Sequence, residues 1–182
     1  DYGFSPKFPD KVERSANKIS EIISKEEVSK RLDIRKTTTF TIDPKDAKDF
    51  DDALSVKKLN NGNWEVGVHI ADVSHYVEKG ETIDKEAVER ATSVYLVDRV
   101  IPMLPEILSN NICSLKPNVD RLAYSVLFEM DEKANLIDYK ISKTVIHSDV
   151  RFTYQTAQDV IDNNEGKLKS EILLLDKLSK IL

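Results

Sequence analysis

Thr41-Ile-Asp-Pro-Lys-Asp-Ala-Lys-Asp-Phe-Asp-Asp-Ala-Leu-Ser55 is the stretch that decides how this chain is read. It carries five carboxylates, Asp43, Asp46, Asp49, Asp51 and Asp52, and a fold that gathers them needs compensating positive charge. Like charges at close range oppose each other's ionisation, and burying an unpaired carboxylate is costly. Lys45 and Lys48 lie within the stretch, but their long stems favour solvent. A divalent cation that prefers oxygen serves better. Mg²⁺ held by a few carboxylates together with a phosphate is a common arrangement.

The flanking residues place these acids. Thr38-Thr-Phe-Thr-Ile42 is rich in β-branched residues and reads as a strand ending at Asp43. Pro44 cannot donate to a ladder, so the chain leaves the sheet there. Phe50 to Leu59 reads as a second extended segment. In an extended run Asp49 and Asp51 share a face while Asp52 points away, so convergence of the acids demands a local bend. Three other readings compete. A solvated acidic loop is the ordinary fate of a charge run. A Ca²⁺ loop counted from Asp49 fails, because Ala53 and Leu54 fill the fifth position and the obligatory glycine position. An aspartyl nucleophile pair at Asp49 and Asp51 lacks an apolar strand leading into it, since Ala47-Lys48 precedes Asp49.

Outward from the acids, Ala53–Leu59 and Trp64–Ala71 are strands joined by Asn60-Asn-Gly-Asn63, a strong hairpin signal. Trp64, Val66, Val68 and Ile70 share one face, with Glu65, Gly67 and His69 on the other. His69, Asp72 and His75 could form a metal cluster, but their spacing specifies zinc weakly and hydrogen-bonded histidines are commoner. Leu122–Met130 and Leu136–Ile146 form a second hairpin around Asp131–Asn135. Helices are predicted over Lys11–Ser24, Glu26–Leu32, Asp84–Thr92, Tyr154–Ile161 and Leu168–Leu182, with one turn at Leu104–Leu108. The stripe of the third comprises Ile83, Ala87, Val88 and Ala91. That of the last comprises Leu168, Ile172, Leu175, Leu178 and Leu182, and packs on the sheet or on something absent.

A length of 182 residues, 40% hydrophobic and 32% charged, suits one soluble domain with a sizeable core. One cysteine, Cys113, excludes an intrachain disulfide and fits a reducing compartment. No apolar run approaches a membrane span and no signal peptide opens the chain, so no membrane partner and a cytoplasmic location are expected. The Asp1 start reads as that of an excised piece. A net charge of −5 is awkward for a nucleic-acid enzyme, whose phosphate contacts come from Lys and Arg.

The acidic stretch is followed by Val68-His-Ile-Ala-Asp-Val-Ser-His-Tyr-Val77, Thr92-Ser-Val-Tyr95, Arg99-Val-Ile-Pro-Met-Leu-Pro105 and Leu108-Ser-Asn-Asn-Ile-Cys-Ser-Leu115. These five ordered blocks resemble the catalytic (RNB) domain of the ribonuclease II / ribonuclease R family, and within it the bacterial ribonuclease R branch most. The resemblance implies an α+β fold, a mixed, largely antiparallel sheet with flanking helices. It implies that residues 1–33 are a lead-in and linker helix following a cold-shock-like domain. Residues 34–182 would be the N-terminal part of the catalytic domain, cut on its C-terminal side. Flanking cold-shock and S1-type barrels would supply most of the nonspecific RNA affinity.

The family's four catalytic acids match Asp43, Asp49, Asp51 and Asp52 at intervals of six, two and one residues. By resemblance Asp43, Asp49 and Asp52 hold Mg²⁺, with Mn²⁺ the alternative, and Asp51 is the acid on which turnover most depends. Asp46 lies outside the set, and Phe50 is a packing residue. Tyr95 matches a residue lining the RNA path and Tyr154 the tyrosine that clamps the last base; as plain residues, each reads more readily as a core tyrosine with a bonded hydroxyl. The implied activity is hydrolysis of single-stranded RNA from its 3′ end to nucleoside 5′-monophosphates. An arginine and a second stacking aromatic of the family's site would lie beyond Leu182, so the piece alone is expected to act poorly or not at all. The rival is a non-catalytic RNA-binding or regulatory module of the same fold.

Overall fold

A computed structural model describes residues 5–182. In chain order its elements are α1 (Asp10–Ala16), α2 (Lys25–Ser29), β1 (Leu32–Asp33), β2 (Thr39–Asp43), β3 (Asp52–Lys58), β4 (Trp64–Ala71), α3 (Val73–Tyr76) and α4 (Thr82–Arg90). They continue with β5 (Val94–Tyr95), β6 (Val100–Ile101), a π-helical turn at Leu108–Ile112, β7 (Asp120–Met130), β8 (Leu136–His147), β9 (Val150–Thr153), α5 (Tyr154–Asn163) and α6 (Lys169–Ser179).

Seven strands form one sheet in the order β1-β8-β7-β4-β3-β2-β9, and β5 with β6 makes a separate small hairpin. The inner pairs are antiparallel, as the two sequence hairpins require. Gly62 takes the left-handed conformation, φ +89°, that closes the first hairpin. In the second, the Asp131 carboxylate accepts from the backbone N–H of Lys133 at 2.8 Å and of Asn135 at 2.9 Å. Only the outer pairs, β1–β8 and β2–β9, are parallel. The fold is therefore the α+β, largely antiparallel class that the resemblance implies.

The two faces of the sheet are built differently. One carries small side chains, Ala53, Ala71 and Ala123, against which Val12 and Ala16 of α1, Ile83 of α4 and Leu108, Ile112 and Leu115 pack. Small residues let this layer approach closely. On the other face, Phe40 and Phe152 meet edge to face at 5.8 Å under Ala157 and Val160 of α5 and Ile172 of α6. Phe40 is wholly buried, and an apolar side chain so placed is worth roughly 1.5–3 kcal/mol. The α6 stripe thus meets the sheet, Leu178 reaching Val66 and Ala134, while Leu182 remains exposed.

Some helix predictions change. α1 stops at Ala16 rather than Ser24: the next N–H groups fall back to tight i→i−3 bonds, Lys18 to Ser15 and Ile19 to Ala16. Beyond that point little packing is available, Ile22 being 82% exposed, and a short helix without a buried face is not stable. α2 is likewise shorter than predicted, Lys25–Ser29, capped by the Ser24 hydroxyl. Val88 leaves the α4 stripe and is exposed. The turn expected at Leu104–Leu108 continues as the π-helical turn. β9 was not legible as a strand, since its four residues carry no alternation long enough to read. β3 starts at Asp52 rather than Phe50, so the residues between Asp43 and Asp52 form the bend that the acids demanded.

Candidate active site

β2 and β9 run parallel and finish together, with Asp43 beside Thr153. The chain then departs in two ways: into the acid loop after Asp43, and into α5 after Thr153, whose hydroxyl caps that helix by accepting from the Thr156 N–H at 3.0 Å. Tyr154, the first residue of α5, therefore stands at the strand end that carries Asp43. Asp52 opens β3 opposite Ile70. The acids thus collect at one rim of the sheet because three strand ends do.

The loop between is held by contacts that no acidic side chain makes. One Arg151 nitrogen donates to the backbone carbonyls of Pro44 at 2.6 Å and Lys45 at 2.8 Å. Its guanidinium also lies 5.4 Å from the Phe50 ring centre. The Ser114 hydroxyl accepts from the Phe50 N–H at 3.0 Å and donates to the Lys48 carbonyl at 2.9 Å. Leu115 N–H donates to the Phe50 carbonyl, and Ala71 N–H to the Asp51 carbonyl. Buried Arg121 steadies Ser114 in turn, donating to its carbonyl at 2.9 Å. Phe50 is buried packing, as predicted.

Within this frame Asp43 is nearly buried, and its Oδ2 is fully buried with no hydrogen-bond partner. Burial pushes its pKa up; Thr41 lowers it, and the charge of Asp52 raises it further. Burial also raises Asp51, followed by the charges of Asp49, Asp52 and Asp43. Its side chain is solvent-accessible, so the protein encloses it without covering it. Asp49 accepts from the Tyr95 hydroxyl at 3.0 Å. Lys45 and Lys48 are exposed, and Asp46 is too.

The four acids consequently lie within electrostatic range of one another but do not form a closed cage. Among the described residues no three Asp, Glu, His or Cys side chains are grouped closely enough to hold a metal as they stand. Expectation of a single shared focus is met only in the mutual repulsion, and the cause is physical: uncompensated carboxylates keep apart. The set still fits a hard cation. An unpartnered, buried carboxylate oxygen on Asp43, beside three further aspartates, is the donor chemistry that Mg²⁺ or Mn²⁺ takes.

Both tyrosines are exposed, Tyr95 by 65% and Tyr154 by 63%, so neither is a core residue. A cleft of about 310 Å³ adjoins the acids, and its lining includes Asp46, Lys48 and Asp49 together with Ser93, Arg99 and Val100. The His69, Asp72 and His75 cluster is structural. His69 Nδ1 lies 2.7 Å from the Ser125 hydroxyl, and Asp72 pairs with Arg31 at 2.7 Å.

Sequence reasoning missed Arg151, Ser114 and Arg121. Their partners are backbone carbonyls and N–H groups, which leave no mark in the residue pattern. The only available signal was the position of Arg151, three residues before Tyr154.

An α+β sheet with an aspartate-rich rim and exposed tyrosines beside it defines a carboxylate-based site rather than a zinc module. Residues 31–182 match the RNB domain model, and the chain belongs to the RNB domain family. It is 47% identical over 171 residues to ribonuclease R 1 of Lactococcus lactis, an alignment covering 94% of this chain and 21% of that relative. Its fold superposes on Mycoplasma genitalium RNase R solved in complex with double-stranded RNA, with TM-score 0.87 and 33% identity, covering 96% of this chain and 32% of the other. Yeast Ssd1, described as a pseudonuclease, matches with TM-score 0.76 and 18% identity over 86% of this chain and 19% of its own, a likeness of fold alone. The chain thus spans about a fifth to a third of the proteins it resembles.

Proposed function

We propose that this chain is the acid-bearing part of a 3′-to-5′ hydrolytic exoribonuclease that degrades single-stranded RNA to nucleoside 5′-monophosphates. The observation that carries the reading is Asp43, whose buried and unpartnered Oδ2 lies at the rim where Asp49, Asp51 and Asp52 raise the local negative potential. Such an arrangement is unfavourable alone and becomes favourable around a hard cation. Asp43, Asp49 and Asp52 would hold it, as Mg²⁺ or Mn²⁺. Bound there, divalent ions supply Lewis acidity and a nucleophilic water at neutral pH. Asp51, beside them and solvent-accessible, would orient the attacking water at the scissile phosphate.

Tyr95 and Tyr154 offer exposed rings on which bases stack with little sequence preference. Tyr154, beside the Asp43 strand end, would hold the terminal base while Tyr95 guides the strand toward it. The net charge of −5 leaves the bulk of RNA affinity to other parts of the protein, for which cold-shock and S1-type barrels are the proposed source. On this reading residues 1–33 connect such a barrel to the catalytic domain, and the protein works in the cytoplasm.

The second reading, an RNA-binding module without catalysis, is favoured by the open set of acids. Replacement of Asp51 separates the two. In the intact protein Asp51→Asn should leave single-strand binding within twofold and lower cleavage of a labelled strand by at least two orders of magnitude. Wild-type cleavage by this variant would refute the role of Asp51, and no cleavage by the unaltered protein would favour the binding module.

A further inference from the structure

The Tyr95 hydroxyl makes a contact that base stacking does not need. A stacking ring presents its face, yet this hydroxyl donates to Asp49 Oδ2 at 3.0 Å.

Tyr95 sits on the small β5–β6 hairpin, whose Leu96, Val97 and Val100 are exposed. At its base the Ser93 hydroxyl accepts from the Met103 N–H at 2.9 Å. Ser93, Arg99 and Val100, on or next to the hairpin, line the adjoining cleft together with Asp46, Lys48 and Asp49. The phenol–carboxylate bond joins the hairpin to the acid loop. We propose that Tyr95 is a positioning residue for Asp49: its hydroxyl holds one carboxylate oxygen so that the other is presented to a divalent cation. This rests on the exoribonuclease reading and deepens it, because one side chain then serves the RNA path through its ring and the acid site through its hydroxyl.

The chemistry supports a positive contribution rather than competition. An ionised carboxylate has about four lone-pair directions, so a single phenol bond leaves acceptor capacity on both oxygens. Donation to the charged form also offsets the repulsion from Asp51 and restricts a side chain that is otherwise only half-covered. Without the hydroxyl, Asp49 is free to rotate away from its like-charged neighbours. Hydrogen bonds to charged groups are strong enough that loss of this one should weaken cation binding roughly five- to tenfold.

The test compares Tyr95→Phe, Tyr95→Ala and the unaltered intact protein in two measurements. One is calorimetric titration with Mn²⁺ in the absence of RNA. The other is fluorescence anisotropy of a labelled single strand in chelator. Tyr95→Phe should lose five- to tenfold in Mn²⁺ affinity and keep RNA affinity within twofold, whereas Tyr95→Ala should lose both. Tyr95→Phe binding Mn²⁺ within twofold of the unaltered protein, or more tightly, would overturn the positioning role and leave the nuclease reading intact. An unaltered protein that takes up no Mn²⁺ would overturn both.

Discussion

Arg31→Met should cost about 3 kcal/mol of folding stability. The Arg31 and Asp72 side chains are 1% and 2% exposed, and Nη1 approaches Oδ2 to 2.7 Å. The approach is close enough for an ion pair but is not aligned as a hydrogen bond, since both atoms lack a hydrogen-bond partner. Burial pushes Asp72 up, but the Ser74 hydroxyl and Arg31 more than offset this and hold its pKa below the usual carboxylate range. Removing the guanidinium strands that charge, and one-sided loss of a buried pair typically costs 3–5 kcal/mol. Two features favour the lower end. Ser74 still donates to Asp72 Oδ1 at 2.7 Å, and Lys143 lies 3.8 Å from Oδ2 on a half-exposed stem. With a urea slope of about 2 kcal/mol/M, the unfolding midpoint followed by circular dichroism should fall by about 1.5 M. The double change Arg31→Met with Asp72→Leu should recover much of the loss, because neither charge of this buried pair is then left without the other. A midpoint shift below about 0.5 M for Arg31→Met alone would refute the reasoning.

Acid stability should depend on His69, whose pKa burial lowers to about 4. The unfolded imidazole, near 6.5, binds the proton that the folded one refuses, so stability falls as pH drops from about 6.5 to 4, by up to about 3 kcal/mol. His69→Gln should flatten that limb of a pH series of unfolding midpoints, and an unchanged slope would count against it. Arg151→Ala should release the Pro44 and Lys45 carbonyls and reduce RNA cleavage by about tenfold to a hundredfold, with Arg151→Lys restoring part of the rate. Equal rates for the three proteins would remove Arg151 from the loop's support. Tyr154→Ala should lengthen the final undigested oligonucleotide on a denaturing gel, and an end product of unchanged length would dismiss the clamp.

Several features could be read before any folding was known. The two hairpins follow from Asn-Gly and Asp131–Asn135 between alternating strands, and β4 has the bounds read from its residues, Trp64–Ala71. The four acids and both tyrosines were named through the resemblance of the blocks that hold them. What patterning could not convey was which face of β4 lies deeper. Ile70 is 49% exposed while His69 is wholly covered, because the alanines opposite admit a helical layer on the histidine's side.

Local chemistry therefore determined where the chain turns and which residues can hold a cation. Those properties depend on side-chain type and on neighbours close along the chain. Tertiary structure alone decided that β9, more than a hundred residues after β2, would lie parallel to it and bring Tyr154 and Arg151 to the acids. It also decided which acid is buried and which one a phenol holds. Pairings of this kind rest on contacts between backbone groups distant in sequence, and backbone groups are the same in every residue.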